Sequence, residues 1–340
     1  MHALVTGGGG FLGRYIVDAL LTRGDRVRTL YRRPYPKLEE KGLQVAQGDI
    51  RDREAVFAAC RGVDCVFHAA GISGIGMRRR TYDDINRLGT ENIVGGCQAA
   101  GVPRLVYTSS PSVVFAGQDQ CGIDESTPYD FEWMEDHHAY YSLSKARAEQ
   151  AVLAANCPTL RTCALRPHLI WGPDDRQLIP RLIARARSGR LRKIGDATNL
   201  VDVTYVENAA EAHLRAAESL TGEAALAAGP RAAGKAYFLS QGTPVNCWHW
   251  IDEVLALANL PPVHKSMSFK TAWRAGALCE TVYRTLGLSG EPPMTRFLAA
   301  QLAKSHWFDI SAAKQDLGYQ PRVSTEEGMR RLGEWLRRER

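Results

Sequence analysis

No C-x-x-C pair occurs among the eight cysteines, at 60, 65, 97, 121, 157, 163, 247 and 279, and no Cys/His group has zinc spacing. A metal centre and a dithiol redox motif are therefore not expected, and reduced thiols of a cytoplasmic enzyme are the simplest account. Long apolar runs are also missing. The most lipid-like stretch, 271–288, carries Arg274, Glu280 and Arg284, so it does not read as a membrane span and leaves at most peripheral membrane contact. Met1-His2 runs straight into an apolar strand pattern, which argues against a signal peptide. There are no internal repeats and no low-complexity tract. Charge of one sign does not dominate, with 43 Lys and Arg against 37 Asp and Glu. The basic clusters at 26–37 and 330–340 have no nucleic-acid-binding module around them, and the second reads as a solvated helix end.

What is present is a chain of 340 residues, long enough for one large domain and a smaller one. Over the first 170 residues short apolar runs alternate with helical patterns. Strands are expected at 3–6, 26–31, 43–47, 65–68, 104–108 and 160–165, and helices at 11–22, 53–60, 81–100 and 138–156. That alternation predicts an α/β fold, a Rossmann-type doubly wound parallel sheet, with ligands beyond the carboxyl ends of its strands. Residues 171–340 are expected to form a smaller, mostly helical substrate-binding cap, with about 196–220 returning to the main domain. Its helices are expected at 178–188, 207–220, 245–258, 270–286 and 325–336.

Thr6-Gly-Gly-Gly-Gly-Phe-Leu-Gly13 follows the first strand and opens a helix. Gly7, Gly10 and Gly13 have G-x-x-G-x-x-G spacing, and missing side chains let a pyrophosphate approach the backbone. The amides at Phe11, Leu12 and Gly13 then face it at the positive end of the helix. Where an acidic residue at the end of the second strand would bind the adenosine ribose and favour NAD, this chain has Tyr31-Arg32-Arg33. A guanidinium suits a 2′-phosphate, so NADP(H) is expected over NAD(H), with solvent-facing arginines as the plain alternative. Asp49 and Ile50 are expected beside adenine, and Ala69-Ala70-Gly71 along the cofactor.

Tyr141 and Lys145 stand four residues apart on a helix and so share a face, whereas Tyr140 is turned about 140° from the lysine. The spacing predicts a phenol and an ammonium in one cleft. The cation is expected to lower the tyrosine pKa, so that Tyr141 can exchange a proton with a substrate oxygen. Tyr107-Thr-Ser-Ser110 ends the fifth strand. Ser110 is the expected partner of the reacting oxygen, with Ser109 in reserve and backbone capping as the ordinary role for such a serine.

Together these segments resemble the extended short-chain dehydrogenase/reductases. The resemblance rests on T-G-G-G-G-F-L-G at 6–13, Asp49, V-F-H-A-A-G at 66–71, N-x-x-G-T-x-N at 86–92, Y-T-S-S at 107–110, Y-x-x-x-K at 141–145 and L-R-P at 165–167. It implies that Ser110, Tyr141 and Lys145 are catalytic, that Lys145 also holds the nicotinamide ribose, and that Asn86 supports the site. Within that group the chain is similar to the 3β-hydroxysteroid dehydrogenase-like branch, and there to the bacterial 2-alkyl-3-oxoalkanoate reductases. The likeness lies in S-P-S-V at 110–113, V-L-A-A-N at 152–156, L-R-P-x-L-I-W-G-P at 165–173, N-L-V-D at 199–202, G-K-A-Y-F at 234–238, S-F-K-T-A at 268–272 and T-R-F-L at 295–298. This implies NADPH-dependent reduction of the 3-keto group of a long-chain acid. The rival is a 3β-hydroxysteroid dehydrogenase oxidising with NAD⁺, with a form that decarboxylates a 4-carboxysterol as its variant. Pro167 and His168 are expected near the cofactor. His168 stands where those reductases are expected to carry Arg, so it is either a weak carboxylate contact or a cofactor-facing packing residue. A homodimer and a complex with pathway enzymes are further expectations.

One feature of the cap can be read from periodicity. Trp273, Ala277, Leu278, Val282 and Leu286 form an apolar stripe on the helix expected at 270–286. Packing into the cap core is the expected fate. The alternative is a wall for long alkyl chains, or a contact with the membrane that holds them.

Overall fold

The computed structural model describes residues 1–32, 42–74, 78–221, 231–288 and 290–339. Strand β1 (His2–Thr6) is buried over its last four residues and feeds α1 (Phe11–Thr22), whose Leu12, Ile16, Val17 and Leu20 form the buried face. Next come β2 (Arg26–Tyr31), β3 (Gln44–Gln47) and α2 (Arg53–Cys60), the last capped by the Asp52 carboxylate accepting from the amides of Glu54 and Ala55. After β4 (Cys65–His68) runs one long helix, α3, made of Arg79–Tyr82, a π-helical turn at Asp83–Leu88, and Gly89–Ala100. It leads to β5 (Arg104–Thr108), α4 (Tyr140–Ala154) and β6 (Arg161–Pro167).

Among the described residues these strands form a seven-stranded parallel sheet, completed by β7 (Lys235–Leu239), in the order β7-β6-β5-β4-β1-β2-β3. β1 lies between β2 and β4, so the strand order reverses there and opens a crevice at their carboxyl ends. Helix α5 (Val206–Ser219) packs on α1, and a later segment joins the sheet itself. β7 pairs with β6 along its whole length, from Lys235 opposite Cys163 to Leu239 opposite Pro167, although its residues read as part of the cap.

The remaining elements build a second core around Trp171, Tyr205, Trp248, Trp250 and Ile251, next to a small sheet that draws Gln120–Ile123 from the first half of the chain. No described helix is long and apolar enough to cross a membrane. Helix α6 (Phe269–Thr285) corrects the core-packing expectation for its stripe. Its buried residues are the small ones, Ala272 and Gly276. A Cβ on Gly276 would stand 2.6 Å from the backbone of Thr295 and Arg296, so the helix is held by close backbone approach. Leu278 and Leu286 are 66% and 68% exposed.

Candidate active site

The glycine loop is built as its sequence suggests. Gly7 has φ +71°, and a Cβ there would lie 2.8 Å from the Ala70 backbone; a Cβ on Gly13 would lie 2.0 Å from the Gly7 carbonyl. The two glycines bring the start of α1 against Ala69-Ala70-Gly71 and leave a cradle that side chains would fill. The first helical bond is Arg14 N–H to the Gly10 carbonyl, so the amides of Phe11, Leu12 and Gly13 precede the bonded part of the helix. That donor set fits a pyrophosphate.

At the far end of the crevice, Asp49 accepts three bonds from Arg51: from its amide at 3.0 Å, Nε at 3.1 Å and Nη2 at 2.8 Å. Hydrogen bonding to Arg51 is the main reason its carboxyl lies below the ordinary range. Arg32 stands 3.8 Å from Asp49 and is 63% exposed. With the acid already matched by Arg51, the Arg32 charge remains available to an anion. Tyr31 is buried. Ile50 is buried against Gly89, so it packs on α3. Arg33 lies outside the described residues.

Tyr141 and Lys145 sit in the first turns of α4, behind the carboxyl end of β5. The Lys145 ammonium donates to the Thr108 carbonyl and lies 4.3 Å from the centroid of the Tyr107 ring. Burial pushes its pKa down to about 7, opposed by the carboxylate of Glu149 one turn along. Burial likewise raises the Tyr141 phenol, and a hydrogen bond with Ser110 opposes that rise. The expected lowering by Lys145 is therefore corrected. Desolvation dominates in this state, and the lysine is turned to the strand end. Ser110 takes the capping role. Its hydroxyl caps the 3₁₀ turn at Pro111–Val114 by accepting from the Ser112 amide, and it also reaches Tyr141. Ser109 is buried with its hydroxyl unpartnered among the described residues.

Asn86 lies on the π-helical turn and is 1% exposed. Its Oδ1 accepts from Ile72 N–H at 2.9 Å, while Nδ2 donates to the Ile72 carbonyl at 3.0 Å and to Ser144 Oγ at 3.1 Å. The extra residue in that turn directs the amide inward, where it ties the segment after Gly71 to α4. Pro167 ends β6, and His168 follows it, 7% exposed. The Asp202 carbonyl can only accept, so His168 Nδ1 carries the proton. Burial and the neighbouring His306 hold the ring neutral, its pKa well below the usual histidine range. With His306 and Phe308 at ring distances of 4.7 Å and 5.4 Å, it is a packing residue rather than a cationic anchor.

Two buried networks were not legible in advance. His68 Nδ1 meets Thr6 Oγ1 at 2.7 Å and Nε2 meets Thr90 Oγ1 at 2.9 Å. Thr90 donates to the Asn86 carbonyl and Thr6 accepts from Ala70 N–H, so the proton sits on Nε2 and the ring is neutral. Burial drives its pKa down to about 3. This chain of bonds ties the glycine-loop strand to the turn carrying Asn86. Behind α4, Arg166 grips Glu149 through Nε at 3.1 Å and 3.2 Å and Nη2 at 2.6 Å, with the two side chains only 3% and 0% exposed. The sequence signal for it was the L-R-P triplet.

Tyr141 opens onto a cavity of about 350 Å³ walled mostly by aromatic and apolar groups, among them Tyr82, Tyr283, Leu288, Pro292 and Phe297. One side is the dinucleotide-binding half and the other is α6 with the residues after it. This is a volume and a lining suited to an elongated apolar substrate with a few polar contacts.

The family profile described as the 3-beta hydroxysteroid dehydrogenase/isomerase family matches residues 4–267. A 2-alkyl-3-oxoalkanoate reductase of Stenotrophomonas maltophilia (strain K279a) is 49% identical over 335 residues, covering 98% of each chain. A decarboxylating sterol-4-alpha-carboxylate 3-dehydrogenase of Mus musculus is 34% identical over 334 residues, 96% of this chain and 88% of the mouse protein. Among solved structures, MoeE5 in complex with UDP-glucuronic acid and NAD superposes with a TM-score of 0.74 at 25% identity, over 100% of both chains.

Proposed function

Because the chain belongs to the 3-beta hydroxysteroid dehydrogenase/isomerase family, an oxidoreductase family of the extended short-chain dehydrogenase/reductase type, we propose that it reduces the 3-keto group of a long-chain 2-alkyl-3-oxoalkanoate to the 3-hydroxy acid, with NADPH as the preferred reductant. The observation that carries this reading is the position of Tyr141, hydrogen-bonded to Ser110, on the largely apolar cavity that α6 closes, together with the name of the 49%-identical relative. The dinucleotide, when bound, supplies the hydride that reduces the carbonyl carbon.

The chain's own groups do the rest. Ser110 hydrogen-bonds the carbonyl oxygen, and Tyr141 donates its phenolic proton to that oxygen as negative charge develops on it. A phenol whose pKa burial keeps high is fully protonated at neutral pH, which is the form a general acid needs. Lys145, whose pKa burial brings down to about 7 in the protein alone, is held in its charged form when a phosphate-bearing ligand arrives and then favours the tyrosinate left behind. The glycine loop takes the pyrophosphate, and Arg32 takes the 2′-phosphate by charge-assisted bonds.

The test is turnover. NADPH with 2-alkyl-3-oxo acids of increasing chain length should give the 3-hydroxy acids, and Arg32→Asp should erase or reverse the preference for NADPH over NADH. Equal binding of the two coenzymes by the wild type refutes the coenzyme assignment. Oxidation of 3β-hydroxysteroids or 4-carboxysterols with NAD⁺, without keto-acid reduction, would replace the reading by the activity that the mouse relative's name describes.

A further inference from the structure

Among the described residues, the cavity beside Tyr141 contains a cation with no acidic partner. Arg284, on α6, lines it together with Glu280, His138 and Tyr140. The Arg284 Nη1 lies 2.8 Å from His138 Nε2, and His138 Nδ1 lies 3.1 Å from the Tyr140 hydroxyl. A guanidinium only donates, so Nε2 is the acceptor and His138 is neutral with its proton on Nδ1, donating to Tyr140. Burial lowers the His138 pKa, in keeping with that neutral form. His138 therefore positions Arg284 without contributing charge.

The acids nearby are already committed. Glu280 accepts from the Arg296 amide at 2.7 Å and from its Nε at 2.8 Å. Glu135 is held by Arg79 at 2.7 Å and 2.8 Å and by Arg147 at 3.1 Å. Among the described residues no carboxylate pairs with Arg284, whereas Arg79, Arg147, Arg181 and Arg296 all have acidic partners. An arginine held by a neutral histidine at the rim of a largely apolar cavity has four of its five N–H donors free for a ligand.

From this geometry we infer that Arg284 binds the carboxylate of the substrate. The inference rests on the keto-acid reading above. In a 3-oxo acid one carbon separates the carboxyl group from the keto carbon, so the carboxylate must enter the same cavity as the oxygen that Tyr141 protonates. His168, where the resemblance leads one to expect a cation, is neutral, buried and not among the residues lining this cavity, and Arg284 takes over that role. The exposed rim also limits the desolvation cost of pairing two charges. His138 and Tyr140 are positioning residues in this arrangement, and the ring of Tyr140 is in turn covered by Arg79 at 5.9 Å.

The experiment compares a 2-alkyl-3-oxo acid with its methyl ester in wild type, Arg284→Gln, Arg284→Lys and Arg78→Gln, the last because Arg78 also lines the cavity. Loss of one or two charge-assisted hydrogen bonds predicts that Arg284→Gln lowers kcat/KM for the acid about 10- to 100-fold, chiefly through KM, with the ester changed less than about twofold. Arg284→Lys should recover part of the loss. A parallel fall for acid and ester overturns the assignment, as does an acid preference that persists in Arg284→Gln or disappears only in Arg78→Gln.

Binding is measured separately, by tryptophan fluorescence of the NADP⁺-loaded protein with a long-chain 2-alkyl-3-hydroxy acid and its methyl ester. A wild type that reduces neither ketone but prefers the acid through Arg284 would sink the reductase reading and uphold this one. Equal binding of acid and ester by the wild type would sink this one.

Discussion

Glu149→Gln is the sharpest probe of how the active-site helix is supported. Glutamine keeps the size of glutamate and one acceptor oxygen, so it can still take the 2.6 Å bond from Arg166 Nη2 and the 2.7 Å bond from the Tyr129 hydroxyl. What it removes is charge. Arg166 is 3% exposed and Glu149 fully buried, so the guanidinium would be left without a counter-charge in a poorly solvated site, with only ring contacts to Phe238 at 5.1 Å and Tyr129 at 5.8 Å besides that one bond. Removing one partner of a buried pair costs about 3–5 kcal/mol. For a chain of this size that corresponds to a fall of roughly 6–10 °C in Tm, at about 2 °C per kcal/mol. Thermal and urea unfolding measure it directly. The double variant Glu149→Gln with Arg166→Met removes both charges and should recover most of the loss, because a buried pair is worth little against an apolar replacement. Glu149 also raises the pKa of Lys145, so the single variant should push that lysine further below about 7. A cost under about 1 kcal/mol for the single variant, or a double variant no better than the single one, would refute the argument that uncompensated charge is what matters.

Three further outcomes can be checked. Tyr141→Phe should lower kcat by roughly 100-fold or more while leaving dinucleotide affinity nearly unchanged, and Tyr140→Phe should be much milder; equal losses would count against the assignment of the acid. Acid should destabilise the fold. His68 and His213 are held neutral with pKa values down to about 3 and about 4, below the unfolded value, so the unfolded chain binds more protons and stability is lost as pH falls from about 6.5. Asp202, held up to about 6, opposes this, and these three groups together give a loss of about 3 kcal/mol between pH 7.5 and 5, to which the lowered His168 and Lys145 add in the same direction; it is read as a shift in urea midpoint, and an unchanged midpoint would refute it. Leu278→Asp should change Tm by less than about 2 °C, since surface substitutions cost little; a large fall would show that the side chain is covered in solution.

The doubly wound half was legible because its signals are local. A glycine loop between a strand and a helix, and apolar runs at regular intervals, carry the topology without long-range information. Tyr141, Lys145 and Ser110 could be put forward as candidates for the same reason, since each sits at a strand end or in the first turns of a helix, whereas Asn86, in the middle of α3, came only from the resemblance. The features that were missed depend on partners far away in the chain. Nothing in Lys235–Leu239 says that its neighbour is Arg161–Pro167. The stripe on α6 has helical period whether or not it is covered, and only the backbone approach at Gly276 reveals which face is inward. The direction of the Tyr141 pKa depended on how much water reaches the phenol, which spacing on a helix cannot report. Arg284 stood out in the sequence only as a charge that ruled out a membrane span. Its lack of an acidic partner became visible when the positions of Glu280 and Glu135 were known.

The late arrival of β7 constrains how this protein can be made and cut. During vectorial synthesis the strands from β1 to β6 emerge first, and β6 then borders the growing sheet with one row of amides and carbonyls unpaired until residues 235–239 follow. An unshielded inner strand of that kind is a template for pairing with another chain. A fragment ending near residue 170 or 221 should therefore aggregate rather than yield a free-standing coenzyme-binding module. A fragment extended through 241 would have its sheet closed. The boundary that matters to protein engineering is thus set by the last strand to arrive, well beyond the point where the alternating pattern fades.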